Sequence, residues 1–240
     1  SSDLPDFYQA MWAQLDQEHY WKGEVWNRRA NGEVYPESLS ISAVCDSAGE
    51  VENYVGLFSD ISVWKDYETD LMHRANHDYL TGLPNRSLLY DRLSQAIKRS
   101  ARNQQPLMIA SVDLDNFKEI NDQFGHLYGD KVLIHVASVM LGTFRDGDTI
   151  SRHGGDEFII VMPESEPDTK SVNRVRRMLQ RLSEPFQIDN HHFQLTASIG
   201  VTAYPQKTEV DADELIRQSD NAMYKAKQSG RNCYYIYDEL

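Results

Sequence analysis

The chain has 240 residues and a formal net charge of −13, with 37 acidic side chains against 24 lysines and arginines. This balance argues against a nucleic-acid partner, which would need a basic face. The two cysteines, Cys45 and Cys233, argue against a disulfide framework and fit a reducing compartment. No apolar run is long enough to span a bilayer. We therefore expect a cytoplasmic location without membrane contact from these residues, although the parent protein could be tethered to a membrane.

Residues 5–62 predict a small segment with one helix and three strands. Apolar side chains at helical spacing indicate an amphipathic helix over 5–19. Three strand-like runs follow it, at 21–29, 33–46 and 50–62. Turn signals separate these runs, Asn31-Gly32 first and Ser47-Ala48-Gly49 second. Three tryptophans are expected to pack in the core of this segment: Trp12, Trp21 and Trp26.

Residues 63–77 predict a helix that links this segment to the rest of the chain. Its apolar side chains follow a three-four repeat at Trp64, Tyr67, Leu71 and Ala75. Two structures suit this pattern. One is a parallel two-helix stalk formed with a second chain, and the other is an amphipathic helix that packs on its own domain.

Residues 78–240 predict an α+β sandwich. Asn85 is a good N-cap for a helix that runs to Arg102. Further helices are expected at 116–123, 130–141, 168–182 and 211–228. Strands are expected at 106–113, 148–152, 158–161, 186–188, 192–204 and 232–237. This order places helices over a central, mainly antiparallel sheet.

Acidic residues end two of the predicted strands. The apolar run at 106–112 is typical of a central, doubly covered strand, and Asp113 follows it directly. The segment 152–158 reads Arg-His-Gly-Gly-Asp-Glu-Phe, and its tandem glycines predict a hairpin, because both central turn positions can take positive φ. Asp156 and Glu157 would then point to opposite faces of a strand. We predict that Asp113 and Glu157 share a hard cation such as Mg²⁺, which binds one or two carboxylates together with substrate phosphates.

Four blocks of residues 78–240 resemble the GGDEF family of diguanylate cyclases, in the order and spacing of that family. They are Asp78–Arg86, Asp113–Asp130, Arg152–Phe158 and Ala222–Asn232. The resemblance implies a GGDEF domain at 78–240, with a fold related to the nucleotidyl cyclases and to polymerase palm domains.

Residues 1–62 resemble the C-terminal part of a PAS sensor domain. The similar stretches are Gly23–Arg29, Asn31–Glu33 and Asp60–Ser62. The expected organisation is therefore a partial PAS-like segment at 1–62, a signalling helix at 63–77 and the GGDEF domain.

The GGDEF resemblance implies that two GTP condense to cyclic di-GMP with release of two pyrophosphates. It implies Mg²⁺ or Mn²⁺ as the metal and a two-fold homodimer as the active form. The family pattern adds the backbone carbonyl of Leu114 to the metal ligands Asp113 and Glu157. It places Asp156 near the attacking 3′-hydroxyl, so that Asp156 and Glu157 are the candidate catalytic residues. The alternative is an inactive receptor for GTP or cyclic di-GMP, which the presence of all three acids disfavours.

The family pattern also assigns residues to the bound GTP. Asn121 and Asp130 stand at base-reading positions, where an amide and a carboxylate suit the edge of guanine. Two structural roles stay open beside this one, a helix C-cap for Asn121 and a helix N-cap for Asp130. The phosphate contacts are expected at a helix N-terminus, which attracts anions, and after the last helix: Asn116, Phe117, Lys118, Lys227 and Arg231.

Arg145 and Asp148 match the Arg-x-x-Asp site at which the family binds its product as an inhibitor. Arginine suits such a site because it stacks on purines and pairs with phosphates. Arg174, Arg177 and Arg181 share one face of the next predicted helix. Arg174 is our candidate for completing the product site, and a plain solvated basic face is the alternative for all three.

Overall fold

The computed structural model describes residues 4–163 and 169–238. The chain divides into two compact units, Ser1–His73 and Arg74–Leu240. The first unit contains one three-stranded sheet and one hydrophobic core, whereas the second contains a five-stranded sheet, a two-stranded sheet and two core clusters. In the described ranges, no helix is both long enough and apolar enough to cross a membrane.

The first unit is a helix followed by an antiparallel sheet in the strand order β1-β2-β3. Its elements are α1 (Leu4–Glu18), β1 (Tyr20–Arg28), β2 (Val34–Cys45) and β3 (Val51–Asp60). Met11 and Leu15 of α1 pack on Trp21, as predicted for that tryptophan. The prediction is wrong for Trp12 and Trp26, which are 46% and 75% exposed. Trp26 is an odd number of residues from Trp21 along β1, so it lies on the opposite face of the sheet.

Helix α2 (Ser62–Asn76) follows β3 and has no buried residue. Its apolar side chains are exposed, with Trp64 at 76%, Tyr67 at 67% and Leu71 at 63%. The helix ends where the second unit begins, and an isolated bridge between His77 and Pro84 closes the loop that leads to α3.

The second unit is the predicted α+β sandwich. Its five-stranded sheet has the order β10-β9-β4-β6-β5. All pairs in it are antiparallel except β10 with β9, so the prediction of a mainly antiparallel sheet is confirmed. The elements are α3 (Arg86–Asn103), β4 (Leu107–Asp115), α4 (Phe117–Phe124), α5 (His126–Leu141), β5 (Thr149–Gly154), β6 (Glu157–Pro163), α6 (Thr169–Ser183), β7 (Phe186–Ile188), β8 (His191–Phe193), β9 (Thr196–Tyr204), α7 (Ala212–Gln228) and β10 (Cys233–Ile236).

Strand β4 is buried along its whole length because helices cover both of its faces. Met108, Ala110, Val112 and Leu114 belong to the core shared with α5 and α6. Leu107 and Ile109 belong to the core shared with α3 and α7. Side chains alternate between the faces of a strand, so Asp113 and Asp115 lie on the face that α7 covers.

Two predicted elements differ from the structure. The strand predicted at 192–204 is two strands, because His191–Phe193 pairs with β7 whereas Thr196–Tyr204 pairs with β4. The helix predicted at 130–141 begins at His126, directly after Gly125, which also ends α4. The predicted start of α6 at Asp168 lies outside the described residues.

Candidate active site

The ends of β4 and β6 bring two carboxylates together. In the antiparallel pair, Asp113 stands directly opposite Glu157. Asp113 is almost completely buried, with 9% exposure, whereas Glu157 is exposed. The structure thus places the two predicted metal ligands side by side.

Both carboxylates are held in surroundings that disfavour their charged form. Burial raises the pKa of Asp113, and the charges of Asp156 and Asp115 raise it further, while Lys227 opposes the increase. Burial also raises the pKa of Glu157, and the nearby charges of Asp113, Asp220 and Asp156 act in the same direction. A divalent cation would relieve this repulsion.

Lys227 already meets one of these acids. Its Nζ lies 2.7 Å from Oδ2 of Asp113. The lysine is in the last turn of α7, so the predicted phosphate contact stands next to the predicted metal ligand. A single ammonium group therefore bridges the end of α7 and the end of β4.

The signature turn differs in detail from its prediction. Gly154 belongs to β5 and pairs with Glu157, and among the two glycines only Gly155 has positive φ, at +51°. Asp156 lies in the turn and Glu157 is the first residue of β6. The predicted hairpin is confirmed by the antiparallel pairing of β5 with β6, but its turn residues are Gly155 and Asp156, and of the two acids only Glu157 lies on a strand. The backbone N–H of Leu114 donates to the carbonyl of Asp156 at 3.3 Å, which holds the turn beside β4.

The side chain of Arg152 also holds the signature turn in place. Its Nε and Nη2 donate to the carbonyl of Gly155 at 2.9 and 2.8 Å. Its Nη1 contacts both carboxylate oxygens of Asp78 at 3.0 and 3.1 Å. Asp78 also accepts from the N–H and the hydroxyl of Thr81. The first family-like block, Asp78–Arg86, is thus bonded to the signature turn, a link that the sequence alone did not reveal.

The predicted guanine-reading residues lie on adjacent helices. Asn121 is inside α4, and its Oδ1 approaches Gly129 so closely that a Cβ there would lie 2.0 Å from it. Asp130 is in the second turn of α5. The N-cap alternative for Asp130 is therefore wrong, and so is the C-cap alternative for Asn121, because Gly125 caps both helices. The two side chains stay candidates for the nucleotide base.

The predicted phosphate-binding residues have different environments. Asn116 adopts a left-handed conformation with φ of +59° and precedes α4 without a side-chain cap bond. Phe117 is buried in the core, so only its backbone can face a phosphate. Lys118 and Arg231 are exposed.

The predicted product-site residues form one cluster. The carboxylate of Asp148 is fully buried and pairs with Nε of Arg145 at 3.2 Å and Nη1 of Arg174 at 2.8 Å. Arg177 donates to the carbonyl of Thr143, and Arg181 donates to that of Gly142. Arg174 is thus part of the cluster, whereas Arg177 and Arg181 are exposed, so the alternative of a solvated basic face stays open for these two.

Sequence reasoning missed the partners of Asp115. This residue is 5% exposed. Its carboxylate accepts hydrogen bonds from Thr196 and Ser198 at 2.7 Å each and from the N–H of Asn232 at 3.1 Å. The signal that could have found it is the two-residue spacing from Asp113, which puts both acids on one face of β4.

Comparison with known proteins identifies the family. Residues 75–233 match the family model described as diguanylate cyclase, GGDEF domain. The chain belongs to the GGDEF family. This match confirms the resemblance inferred from the four sequence blocks.

Individual GGDEF proteins match over the same region. The chain is 41% identical over 169 residues to the bifunctional diguanylate cyclase/cyclic di-GMP phosphodiesterase MucR of Pseudomonas aeruginosa. That match covers 70% of this chain and 24% of MucR. It is 38% identical over 190 residues to a diguanylate cyclase of Vibrio cholerae. That match covers 79% of this chain and 58% of the Vibrio cholerae protein. The chain thus spans about a quarter of the first relative and less than two thirds of the second.

The GGDEF fold is also seen in solved structures. The GGDEF domain of DgcB from Caulobacter crescentus, in complex with c-di-GMP, superposes with a TM-score of 0.64 at 27% identity. The match covers 69% of this chain and 94% of that domain. The predicted GGDEF fold is therefore confirmed.

Proposed function

We propose that the GGDEF domain of this chain is a diguanylate cyclase that condenses two GTP into cyclic di-GMP and releases two pyrophosphates. The observation that carries this proposal is the register pairing of Asp113 with Glu157. In each of two equivalent steps, the 3′-oxygen of one GTP bonds to the α-phosphorus of the other and its hydroxyl proton is lost. The bond between the α-phosphorus and the bridging oxygen breaks, and pyrophosphate leaves.

The residues present fit a divalent metal. Two carboxylates stand opposite each other, and burial first and the neighbouring acids second raise the pKa of each, which supports a bound cation. No group of three His, Cys, Asp or Glu side chains in the described part of the chain could hold a metal alone. Asp113, Glu157 and the Leu114 carbonyl would hold Mg²⁺ or Mn²⁺ together with GTP phosphates. When bound, the ion supplies positive charge for the attacking and leaving oxygens.

The remaining site residues are proposed to bind and orient GTP. Asn121 and Asp130 would read guanine from α4 and α5. The phosphates would be held by backbone and side-chain groups at the start of α4 and the end of α7: Asn116, Phe117, Lys118, Lys227 and Arg231. In this assignment the ion pair between Lys227 and Asp113 breaks when nucleotide binds, and Lys227 pairs with a phosphate instead.

Asp156 is proposed to lie beside the attacking 3′-hydroxyl. Its place in the turn, next to Glu157, supports a separate role for the two acids, since Glu157 alone stands in register with Asp113. A carboxylate within hydrogen-bond reach of the hydroxyl can orient it and accept its proton.

The active form is proposed to be a two-fold homodimer. One domain has residues for one GTP, so two domains must face each other before each 3′-hydroxyl can reach the other α-phosphate. The exposed side chains of Trp64, Tyr67 and Leu71 on α2 support pairing with a second copy.

The cluster of Arg145, Asp148 and Arg174 is proposed to bind cyclic di-GMP as an inhibitor. Its arginines are already gathered around one buried carboxylate, so phosphate and purine groups would meet preorganised guanidinium groups. A cyclic di-GMP site of this kind would also serve the second candidate function, a receptor for cyclic di-GMP that has no turnover.

The first unit is proposed to be the C-terminal part of a PAS-like sensor. One helix and three antiparallel strands occur there in the predicted order, and this supports the boundaries 1–62 for the segment and 63–77 for the signalling helix. Cys45 and Cys233 are both free thiols, which supports a reducing, cytoplasmic location.

The experiment that tests the proposal is incubation of the purified chain with GTP and Mg²⁺ over a range of protein concentrations, with the nucleotides separated by chromatography. We expect cyclic di-GMP, with a specific activity that rises with protein concentration because the site needs two subunits. Glu157→Gln should give no measurable product, whereas the control Glu209→Gln changes an exposed acid and should behave like wild type. Full activity of Glu157→Gln would overturn the metal assignment. Bound GTP without product at any concentration would favour the receptor.

A further inference from the structure

Asp115 is a buried carboxylate that the proposed chemistry does not use. It lies on the α7 face of β4, two residues after the proposed metal ligand Asp113. Its Oδ1 accepts from the hydroxyl of Ser198. Its Oδ2 accepts from the hydroxyl of Thr196 and from the backbone N–H of Asn232. Three hydrogen bonds inside the protein and 5% exposure leave this carboxylate unavailable as a further metal ligand.

The bond to Asn232 holds an unusual turn. Arg231 and Asn232 both have positive φ, at +64° and +48°, a conformation that is unfavourable for residues with a side chain. The N–H of Arg231 donates to the carbonyl of Ala226 at 3.2 Å, which ties the turn to α7. The bond from Asn232 to Asp115 ties the same turn to the central strand.

The segment from α7 to β10 therefore contacts β4 at two acids on one face. The first contact joins Lys227 to Asp113, and both partners are proposed to meet nucleotide or metal. The second joins Asn232 to Asp115, and neither partner is proposed to meet the substrate. In the proposed assignment Lys227 leaves Asp113 when GTP binds, whereas the contact between Asn232 and Asp115 has no reason to change.

We propose that Asp115 is a positioning residue, which fixes the left-handed turn at Arg231 and Asn232 and thereby directs Arg231 toward the GTP phosphates. This inference rests on the proposed function, because Arg231 is a proposed phosphate ligand. It predicts that Asp115 acts through its oxygen acceptors rather than through its charge.

A double-mutant cycle tests the proposal by binding alone. The probe is guanosine 5′-(α,β-methylene)triphosphate with Mg²⁺, which cannot lose pyrophosphate, and its Kd is measured by calorimetry. Asp115→Ala should raise the Kd about tenfold, the size expected for one lost hydrogen-bonded contact. In the Arg231→Ala background the same change should alter the Kd less than about twofold, since the group that Asp115 positions is gone.

Two further variants separate geometry from charge and from folding. Asp115→Asn can still accept from Asn232 and donate to the Ser198 hydroxyl, so it should bind the analogue like wild type. Thr196→Val removes the hydroxyl that orients Oδ2 but keeps the bond from Asn232 to the carboxylate, so it should raise the Kd by less than Asp115→Ala, and it enters the cycle with this smaller effect if Asp115→Ala does not fold. The matched control is Thr202→Val, which removes a buried hydroxyl at the other end of β9 and should not change the Kd.

The outcomes distinguish this inference from the function on which it rests. An equal loss of affinity with and without Arg231 would overturn the positioning role, and so would Asp115→Asn if it bound as poorly as Asp115→Ala. A wild-type chain that does not bind the analogue would overturn it as well. A wild-type chain that binds the analogue but makes no cyclic di-GMP would refute the cyclase assignment, while the cycle would still report on Asp115.

Discussion

The ion pair between Arg152 and Asp78 gives a prediction whose size can be worked from the structure. Their side chains are 11% and 16% exposed, and Arg152 also donates twice to the carbonyl of Gly155. Exposed ion pairs contribute at most about 1 kcal/mol, whereas breaking a fully buried pair costs about 3–5 kcal/mol. For this partly buried pair we expect Arg152→Met to lower the free energy of unfolding by about 2 kcal/mol.

The expected signal is a shift in thermal unfolding. In a domain of this size 1 kcal/mol corresponds to about 2–4 °C in Tm, so Arg152→Met should unfold about 4–8 °C lower. The double variant Asp78→Asn with Arg152→Met should regain part of this loss, because it no longer leaves a carboxylate without its cation. Turnover should fall more than the apparent affinity for GTP, since Arg152 holds the turn that carries Asp156.

The same pair predicts a dependence on pH. Burial alone would raise the pKa of Asp78, but hydrogen bonds from Thr81 and Arg152 outweigh it and the pKa is lowered. A lowered pKa gives stability that is present above the unfolded value of about 3.9 and is lost as the pH falls through the folded value. The difference in Tm between wild type and Arg152→Met should thus be full at pH 7 and shrink below about pH 4. An unchanged Tm at pH 7, or a difference as large at pH 3, would refute this account.

Three further predictions concern the nucleotide sites. Without divalent ions, Glu157→Gln should have a higher Tm than wild type at pH 7. The pKa of Glu157 is raised in the folded state, so stability is lost as the pH rises from the unfolded pKa of about 4.3 through the folded pKa. Calorimetry at pH 4 should show no such gain, and equal Tm values at pH 7 would count against the repulsion. Arg145→Ala should weaken cyclic di-GMP binding and relieve product inhibition, as measured by titration calorimetry and progress curves, and an unchanged inhibition constant would remove the product site. Gly129→Ala should raise the KM for GTP, because its Cβ would displace the Asn121 amide. A Cβ at Gly56 would only touch Leu39 at 3.9 Å, so the control Gly56→Ala should leave the KM unchanged.

Local signals in the sequence were sufficient for much of the second unit. The apolar run before Asp113 predicted a central strand, and β4 is indeed the middle strand, buried on both faces. Asn85 was predicted to cap a helix, and its Oδ1 accepts from the N–H of Leu88 at 3.1 Å. These predictions succeed because strand burial and helix capping depend on residues that are adjacent in the sequence.

The errors occur where distant parts of the chain decide the local structure. The run 192–204 has strand propensity throughout, but its first part pairs with β7 and the rest pairs with β4. Helix α5 begins at His126 with no capping side chain before it, so Asp130 looked like its start. The two glycines of the signature turn are equivalent in sequence, yet Glu157 pairs with Gly154 and leaves the positive φ to Gly155.

The most informative contacts join segments that are far apart in sequence, and Asn85 shows how they combine. Its Nδ2 donates to the carbonyl of Ala75 in the last turn of α2, while its Oδ1 caps α3. Its own carbonyl accepts from Ser151 of β5, and the N–H of Arg152 donates to the neighbouring carbonyl of Pro84. The last turn of α2 is thus bonded through one loop to the strand that leads into the signature turn. A rearrangement of that helical turn must therefore either move β5 with it or break these hydrogen bonds.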